Sequence, residues 1–271
     1  MSDRYQFDID GDGRLVISLQ SGDVEVYASE QGIEASLSGK TEAVTVEQSG
    51  NTVSITSDKK TSFFSSPSVR VAVGVPVGCD LEVSGASLDL VSRQKLGAVK
   101  ARTASGDIRL TEVGELTVKT ASGEVRFDVV EGDCEVAAAS GDVLGDRVSG
   151  DLRASLASGD VRIGRVVGDV TVKSASGDAA FDRVGGNDIG IRSMSGDITI
   201  GLPTGIKLDF DLDALSGDIH LPPPAPPAPP SPPQPGEEST DRPVEEASER
   251  RRLVRVYAKT VSGDINIERA V

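Results

Sequence analysis

Valine, isoleucine, leucine and alanine recur at alternate positions along most of the chain, with polar residues between them. In the stretch SGDVRIGRVVGDVTVKSA, Ser158 to Ala175, Val161 and Ile163 flank Arg162, and Val170 and Val172 flank Thr171. A period of two puts alternate side chains on opposite faces of an extended strand, and Gly-Asp pairs between the runs mark turns. Each such unit therefore predicts two short β-strands and two tight corners.

The units repeat. Ser-Gly followed by an acid places that acid at Asp107, Glu124, Asp142, Asp160, Asp178, Asp197, Asp218 and Asp264, at intervals of 17, 18, 18, 18, 19, 21 and 46 residues. A half-repeat lies between them at Gly114-Glu115, Gly132-Asp133, Gly150-Asp151, Gly168-Asp169 and Gly186-Asn187; four of these five lie 9 residues after the preceding triplet acid. Superposing the units gives apolar columns. The residue after the acid is Ile108, Val125, Val143, Val161, Ala179, Ile198, Ile219 or Ile265, and two further on stands Leu110, Phe127, Gly145, Ile163, Phe181, Ile200, Leu221 or Ile267. The second strand supplies Leu116, Cys134, Leu152, Val170 and Ile189, and a further column precedes the Ser-Gly: Ala104, Ala121, Ala139, Ala157, Ala175, Met194, Leu215 and Val261. Arg109, Arg126, Arg162, Glu135 and Arg153 occupy positions between the columns and read as outward.

One such coil cannot bury its apolar face alone, whereas coils stacked ~4.8 Å apart pair their strands and share a core. The fold class that follows is all-β: a single-stranded β-solenoid, or β-helix, of about 18-residue two-strand coils, eight of them spanning about 40 Å. A β-sandwich is the competing architecture, but its connections do not keep a fixed register.

Residues 14–100 alternate without strict repeats. Leu15 to Leu19, Val24 to Tyr27, Val44 to Val46, Thr52 to Ile55, Val69 to Val73 and Leu81 to Val83 read as strands, and Ser21-Gly22-Asp23 suggests the same plan with longer excursions. Terminal coils of solenoids are commonly atypical because they cap an open edge. The expected organisation is one domain over 1–271, with irregular N-terminal coils in 1–100 and regular coils in 101–221 and 253–271; a separate small N-terminal β-domain is the alternative. Residues 222–252 interrupt the repeat with PPPAPPAPPSPPQP and then an acidic run. Proline favours extended polyproline II and the remainder has too few apolar residues to pack, so a disordered loop thrown out of one corner is expected there. It either presents a proline-rich ligand or is a tolerated insertion without a partner.

Composition agrees with a narrow core: aromatics are 3%, Trp is absent and Gly numbers 30 among 271 residues. The net charge of −15 argues against a nucleic-acid partner and against electrostatic binding to anionic lipid. No basic segment leads into an apolar run at the start of the sequence, and no stretch approaches the ~18 apolar residues of a membrane span, so a cytoplasmic location is the expectation. Cys79 and Cys134 fit no metal-binding spacing, and Cys134 falls in an apolar column where a buried, inert thiol is expected.

The repeated serines and aspartates invite a hydrolase reading, but the only histidine is His220 and no triad can be built around it. Corner chemistry accounts for every copy: Gly permits positive φ, and Asp and Ser side chains bond local backbone N–H groups. Nine-residue Gly-Asp spacing is shared with calcium-binding β-rolls, but their Gly-Gly-x-Gly turn is missing here. Asp8, Asp10 and Asp12, in DIDGDG, match the first half of a calcium loop; the glutamate expected at its twelfth position is Leu19, so an acidic turn is the simpler reading. Phe63-Phe64 stand in a loop-like context and either anchor a partner or pack over the end of the solenoid.

These features together resemble the bacterial β-strand-repeat "putative adhesin" family, also called the toastrack domain. The resemblance rests on Gly22-Asp23-Val24-Glu25-Val26, on Val69-Arg70-Val71-Ala72-Val73-Gly74-Val75-Pro76, and on Lys100 to Ile108 with the Ala-Ser-Gly-Asp array that follows. It covers nearly the whole chain outside the proline-rich insertion. It implies a β-solenoid serving as scaffold or binding surface, often encoded with cell-envelope stress proteins, and it brings no catalytic residues to carry over. The expected function is a non-catalytic scaffold or interaction protein with an unidentified protein partner, no cofactor, no catalytic or metal residues, and possible self-association through the solenoid ends. A calcium-stabilised surface adhesin is the alternative. A β-helix enzyme acting on polysaccharide comes third, because it needs acidic and basic groups gathered in a groove and the repeat distributes its charges evenly.

Overall fold

The computed structural model describes residues 2–9, 13–30, 32–57, 68–222 and 253–270. The Phe63-Phe64 pair, Asp10, Asp12 and nearly all of the proline-rich insertion, 223–252, lie outside the described residues.

Period-two alternation becomes strand wherever the sequence shows it. The N-terminal third forms β1 (Ser2–Phe7), β2 (Arg14–Ala28), β3 (Ile33–Gly39), β4 (Val44–Ser49), β5 (Thr52–Ser57), β6 (Val69–Val75) and β7 (Asp80–Ser92). The regular repeats form β8 (Leu96–Ser105), β9 (Ile108–Ser122), β10 (Val125–Val130), β11 (Cys134–Ser140), β12 (Val143–Val148), β13 (Leu152–Ser158), β14 (Val161–Val166), β15 (Val170–Ser176), β16 (Ala179–Val184), β17 (Asp188–Arg192) and β18 (Ile198–Pro203). The last coils are β19 (Lys207–Ser216), β20 (Ile219–His220), β21 (Leu253–Ser262) and β22 (Ile265–Ala270).

Two strands per coil generate two hydrogen-bonded stacks. One runs β4, β5, β2, β7, β8, β9, β11, β13, β15, β17, β21, β19. The other runs β1, β3, β6, β2, β7, β9, β10, β12, β14, β16, β18, β22, β20. The long strands β2, β7 and β9 bend across both. Pairing is parallel along the rod, and antiparallel only at β1–β3, β3–β6 and β4–β5. The irregular N-terminal coils thus end in a cap of antiparallel strands. The early triplet keeps register, with Ser21 opposite Ser87 and Asp23 opposite Asp89, but Gly22 is not left-handed and β2 runs through it without a corner.

The apolar columns become the core. Ile108, Val125, Val143, Val161, Ala179, Ile198 and Ile265 are buried, as are Leu116, Cys134, Leu152, Val170 and Ile189. Gly145 leaves a gap in the column of Leu110, Phe127, Ile163 and Phe181, and the neighbouring Phe127 ring fills it: a Cβ on Gly145 would collide with that ring. Val113, Val130, Val148, Val166 and Val184 form a further buried column. Its residues keep the same 17- and 18-residue spacing as the corners.

Two expectations need correction. The alanine column before each Ser-Gly faces solvent: Ala104, Ala121, Ala139, Ala157 and Ala175 are exposed, with Met194 at 63% and Leu215 at 79%. Alternation counted from Val118 and Thr120 puts Ala121 on the outer face. The second correction concerns the order of the last coils. β21 lies between β17 and β19, and β22 between β18 and β20, so the C-terminal coil is inserted beneath the coil that precedes it in sequence. Across the 46-residue step from Asp218 to Asp264 the chain therefore re-enters the stack one level down. A similar exchange occurs at the other end, where β2 lies between β7 and the later pair β5 and β6.

Candidate functional site

The repeated triplets are the densest chemistry in the chain. At Gly106, Gly123, Gly141, Gly159, Gly177, Gly196, Gly263 and Gly217 the backbone adopts φ of +122° to +148°, a region open in practice only to glycine. A Cβ on Gly141, Gly159 or Gly177 would run into the carbonyl oxygen of the corner glycine one coil below, so the glycines stack without room for a side chain.

This turn aims the following carboxylate along the rod axis. Asp107 Oδ1 accepts from the Glu124 N–H at 3.0 Å, Asp142 Oδ1 from Asp160 N–H at 2.9 Å, Asp160 Oδ1 from Asp178 N–H at 2.9 Å, and Asp178 Oδ1 from Asp197 N–H at 2.9 Å. The ladder continues through Asp197 to Asp264 and from Asp264 to Asp218, each at 2.8 Å. The half-repeat corners build a second ladder from Asp133 through Asp151 and Asp169 to Asn187. The expected bond to local backbone is therefore replaced by one to the next coil, 17 to 19 residues away in the same chain apart from the rearranged end. Both ladders lapse at glutamate: no bond joins Glu124 to the Asp142 N–H or Glu115 to the Asp133 N–H among the described residues. The extra methylene carries the carboxylate past the N–H above.

The second carboxylate oxygen turns outward. Asp107 Oδ2 accepts from Arg109 at 3.0 Å, Asp160 Oδ2 from Arg162 at 2.7 Å and Asp151 Oδ2 from Arg153 at 3.3 Å. Repulsion between stacked carboxylates is thereby met by N–H groups and guanidinium ions, with no cation required. At Asp107 the Glu124 N–H, with smaller help from Arg109, holds the carboxyl below its ordinary range against the opposing effect of partial burial. Lys95 bridges Glu112 at 2.8 Å and Glu131 at 2.7 Å, which raises the lysine pKa and lowers that of Glu131.

The residues singled out for other chemistry do not converge. His220 is exposed on β20, and its side chain makes no hydrogen bond or ion pair among the described residues. Cys79 and Cys134 are free and buried; burial, helped by the nearby Asp133 charge, pushes the Cys134 thiol up to about 12. Asp8 uses its backbone carbonyl to accept from Gln48 Nε2 at 2.8 Å. Among the described residues no group of three or more His, Cys, Asp and Glu is placed to hold a metal ion, and no helix is long and apolar enough to cross a membrane.

Arg126, Arg162, Asp128, Asp146 and Asp182 line an open groove of about 600 Å³ where Gly145 and Gly164 thin the wall of the rod. The apolar columns carry no sign of this groove, because outward positions of neighbouring coils form it together. The signal was the coincidence of glycines at 145 and 164 with acids at 128, 146 and 182. Its acids do not gather around a common point, and both arginines are engaged by corner acids, Arg126 with Glu124 at 3.5 Å and Arg162 with Asp160. The groove offers alternating charge to a bound surface and no convergent acid–base pair.

No curated protein matches the chain. Among solved structures, a putative adhesin from Parabacteroides merdae aligns at 10% identity and a TM-score of 0.47, covering 98% of this chain and 95% of that one. A putative adhesin from Bacteroides fragilis aligns at 11% identity and a TM-score of 0.43, covering 98% and 96%. A putative lipid binding protein from Parabacteroides distasonis aligns at 13% identity and a TM-score of 0.42, covering 97% and 96%. The family model described as Toastrack DUF4097 matches residues 13–268. With that model spanning both the antiparallel cap and the Ser-Gly-Asp coils, the chain belongs to the Toastrack DUF4097 family.

Proposed function

We propose that this β-solenoid is a non-catalytic scaffold whose outer surface binds another protein, in a setting of bacterial cell-envelope stress. One observation carries the reading. The most repeated functional groups of the chain, the corner carboxylates, spend Oδ1 on the backbone of the next coil, and several spend Oδ2 on arginine. They hold the rod together and are not poised over a substrate. What the rod presents is a long, regular, charged and grooved surface, a geometry suited to docking. The envelope-stress setting rests on the family resemblance alone.

Affinity capture from the source cell, with the intact protein beside a variant lacking residues 222–252, tests this reading. Specific recovery of a protein by either bait supports it, and the difference between baits locates the binding surface. Failure of both baits to recover any specific partner removes it.

A further inference from the structure

The C-terminal end of the rod differs from the rest of its surface. β19 pairs with β21 on one side and with no strand on the other among the described residues. Its inward residues Leu208, Phe210 and Leu212 are only partly buried, whereas Val254, Val256 and Ala258, one level below, are 0–2% exposed. Of the ten large apolar residues exposed on the described surface, six lie in the last three coils: Met194, Leu215, Ile219, Leu221, Leu253 and Val261. Apolar exposure gathered at one place, beside unpaired strand backbone, marks a surface that takes a partner.

The occupied side of β19 shows what kind of strand it accepts. In register with it, Val254, Val256 and Ala258 face inward opposite Leu208, Phe210 and Leu212, while Arg255 and Lys259 stand outward opposite Asp209 and Asp213. Lys259 Nζ lies 2.6 Å from Asp213 Oδ2, and the pair raises the lysine pKa. The outward row Asp209, Asp211 and Asp213 is exposed, and of the three only Asp213 has an ion-pair partner among the described residues. Two copies meeting by this end would set these acidic rows against each other, on chains that each carry −15.

We propose that the free edge of β19 is a β-augmentation site for an extended segment of a partner protein in which aliphatic residues alternate with lysine or arginine. Main-chain hydrogen bonds to the open edge supply attachment, and the aspartate row selects the charge pattern. The proposal rests on the scaffold reading and assigns it a surface.

The test is fluorescence anisotropy on the full chain, with a labelled nine-residue peptide of alternating Val and Lys and a second in which Glu replaces Lys. The Lys peptide should bind saturably, the Glu peptide should not, and D209K/D211K/D213K should weaken the Lys peptide at least tenfold. Because the whole protein is acidic, E30K/E42K/E47K, three exposed acids in the N-terminal part of the rod, is the control and should leave the affinity within twofold. Hydrogen exchange with bound peptide should slow at β19 amides and not at β12. Equal binding by the two charge-reversal variants overturns the proposal. So does binding that appears only after deletion of 223–252, which would make that segment the occupant. So does a concentration-dependent dimer, in sedimentation velocity, that the β19 substitutions abolish. Cell capture separates the two readings: partners retained by the D209K/D211K/D213K bait leave the scaffold standing and refute the edge, whereas capture by no bait refutes the scaffold whatever the peptide does.

Discussion

At the residue scale, the corner is a device in which glycine removes a side chain so that the next residue can reach up the rod. Its two lapses make it testable. Glu124 leaves the Asp142 N–H without the carboxylate bond that its neighbours enjoy, so Glu124→Asp should complete the ladder and raise unfolding free energy by about 0.5–1.5 kcal/mol in urea titrations, the net worth of one hydrogen bond. A loss of stability would show that the ion pairs of Glu124 with Arg109 and Arg126 outweigh the added bond. Asp107 predicts a pH effect with a definite sign. Its folded pKa lies below the unfolded value, so its contribution is fully present above about pH 4 and disappears as pH falls through the folded pKa. Asp107→Asn keeps an acceptor for the Glu124 N–H and loses the titration. The variant should be less stable than the parent at pH 6, and the gap should close as both are unfolded at progressively lower pH. The corner glycines and acids were legible in the sequence because the repeat displayed them. The direction of the carboxylate was not, because a local Asx turn and a bond to the next coil require the same Gly-Asp pair. The bond from the Asp178 N–H to Asp160 Oδ1, 18 residues away, tells them apart.

At the scale of the element, the instructive case is the C-terminal coil. Its composition identified β21 and β22 correctly, since Val254, Val256, Ala258, Ile265 and Ile267 follow the same columns as every other coil. That likeness also concealed its place. A repeat fits against any equivalent repeat, so sequence order was the natural guess for stacking order, and the hydrogen bond from Asp264 N–H to Asp197 Oδ1 shows otherwise. Because β19 and β20 pair only with this inserted coil, their stability depends on it. Deleting residues 253–271 should leave β8 to β16 protected in hydrogen exchange while β19 and β20 lose protection entirely, and β17 and β18 become an exposed edge. A synthetic peptide of residues 253–271 added in trans should restore protection at β17 to β20. Retained protection in the truncated chain would mean that β19 can drop one level and pair with β17 directly. The alanine stripe gives the complementary lesson: its regularity was real, but regularity marks a repeated position and does not say which face that position occupies.

At the scale of the whole molecule, the rod is a one-dimensional stack in which each coil touches only its neighbours, and this makes the cost of a given substitution depend on where it falls. Gly159 and Gly217 have the same conformation and the same conflict: a side chain at either meets the carbonyl of the next corner glycine, Gly141 for the first and Gly263 for the second. Locally, then, Gly159→Ala and Gly217→Ala should cost alike, about 2–4 kcal/mol from the forbidden φ and the displaced neighbour. Their global effects should differ. Gly159 joins β13 to β14 in a coil with filled neighbours on both sides, β11 with β12 and β15 with β16, so relieving its conflict with Gly141 separates two halves of a continuous core, and the whole unfolding transition should move by nearly the full local cost. Gly217 lies in the outermost coil, whose inward residues are already half exposed and which has a neighbour on one side only. There the coil can open by itself, leaving the rest of the stack paired. Urea unfolding of Gly217→Ala should therefore show a midpoint close to the parent with a lower m-value or an early low-amplitude step, and hydrogen exchange should place the lost protection in β19 and β20. Equal shifts for both variants would show that the last coil is as integral as the middle ones. The opposite result, a detachable outer coil carrying the exposed apolar cluster and the aspartate row, fits an end whose final neighbour is supplied by another molecule.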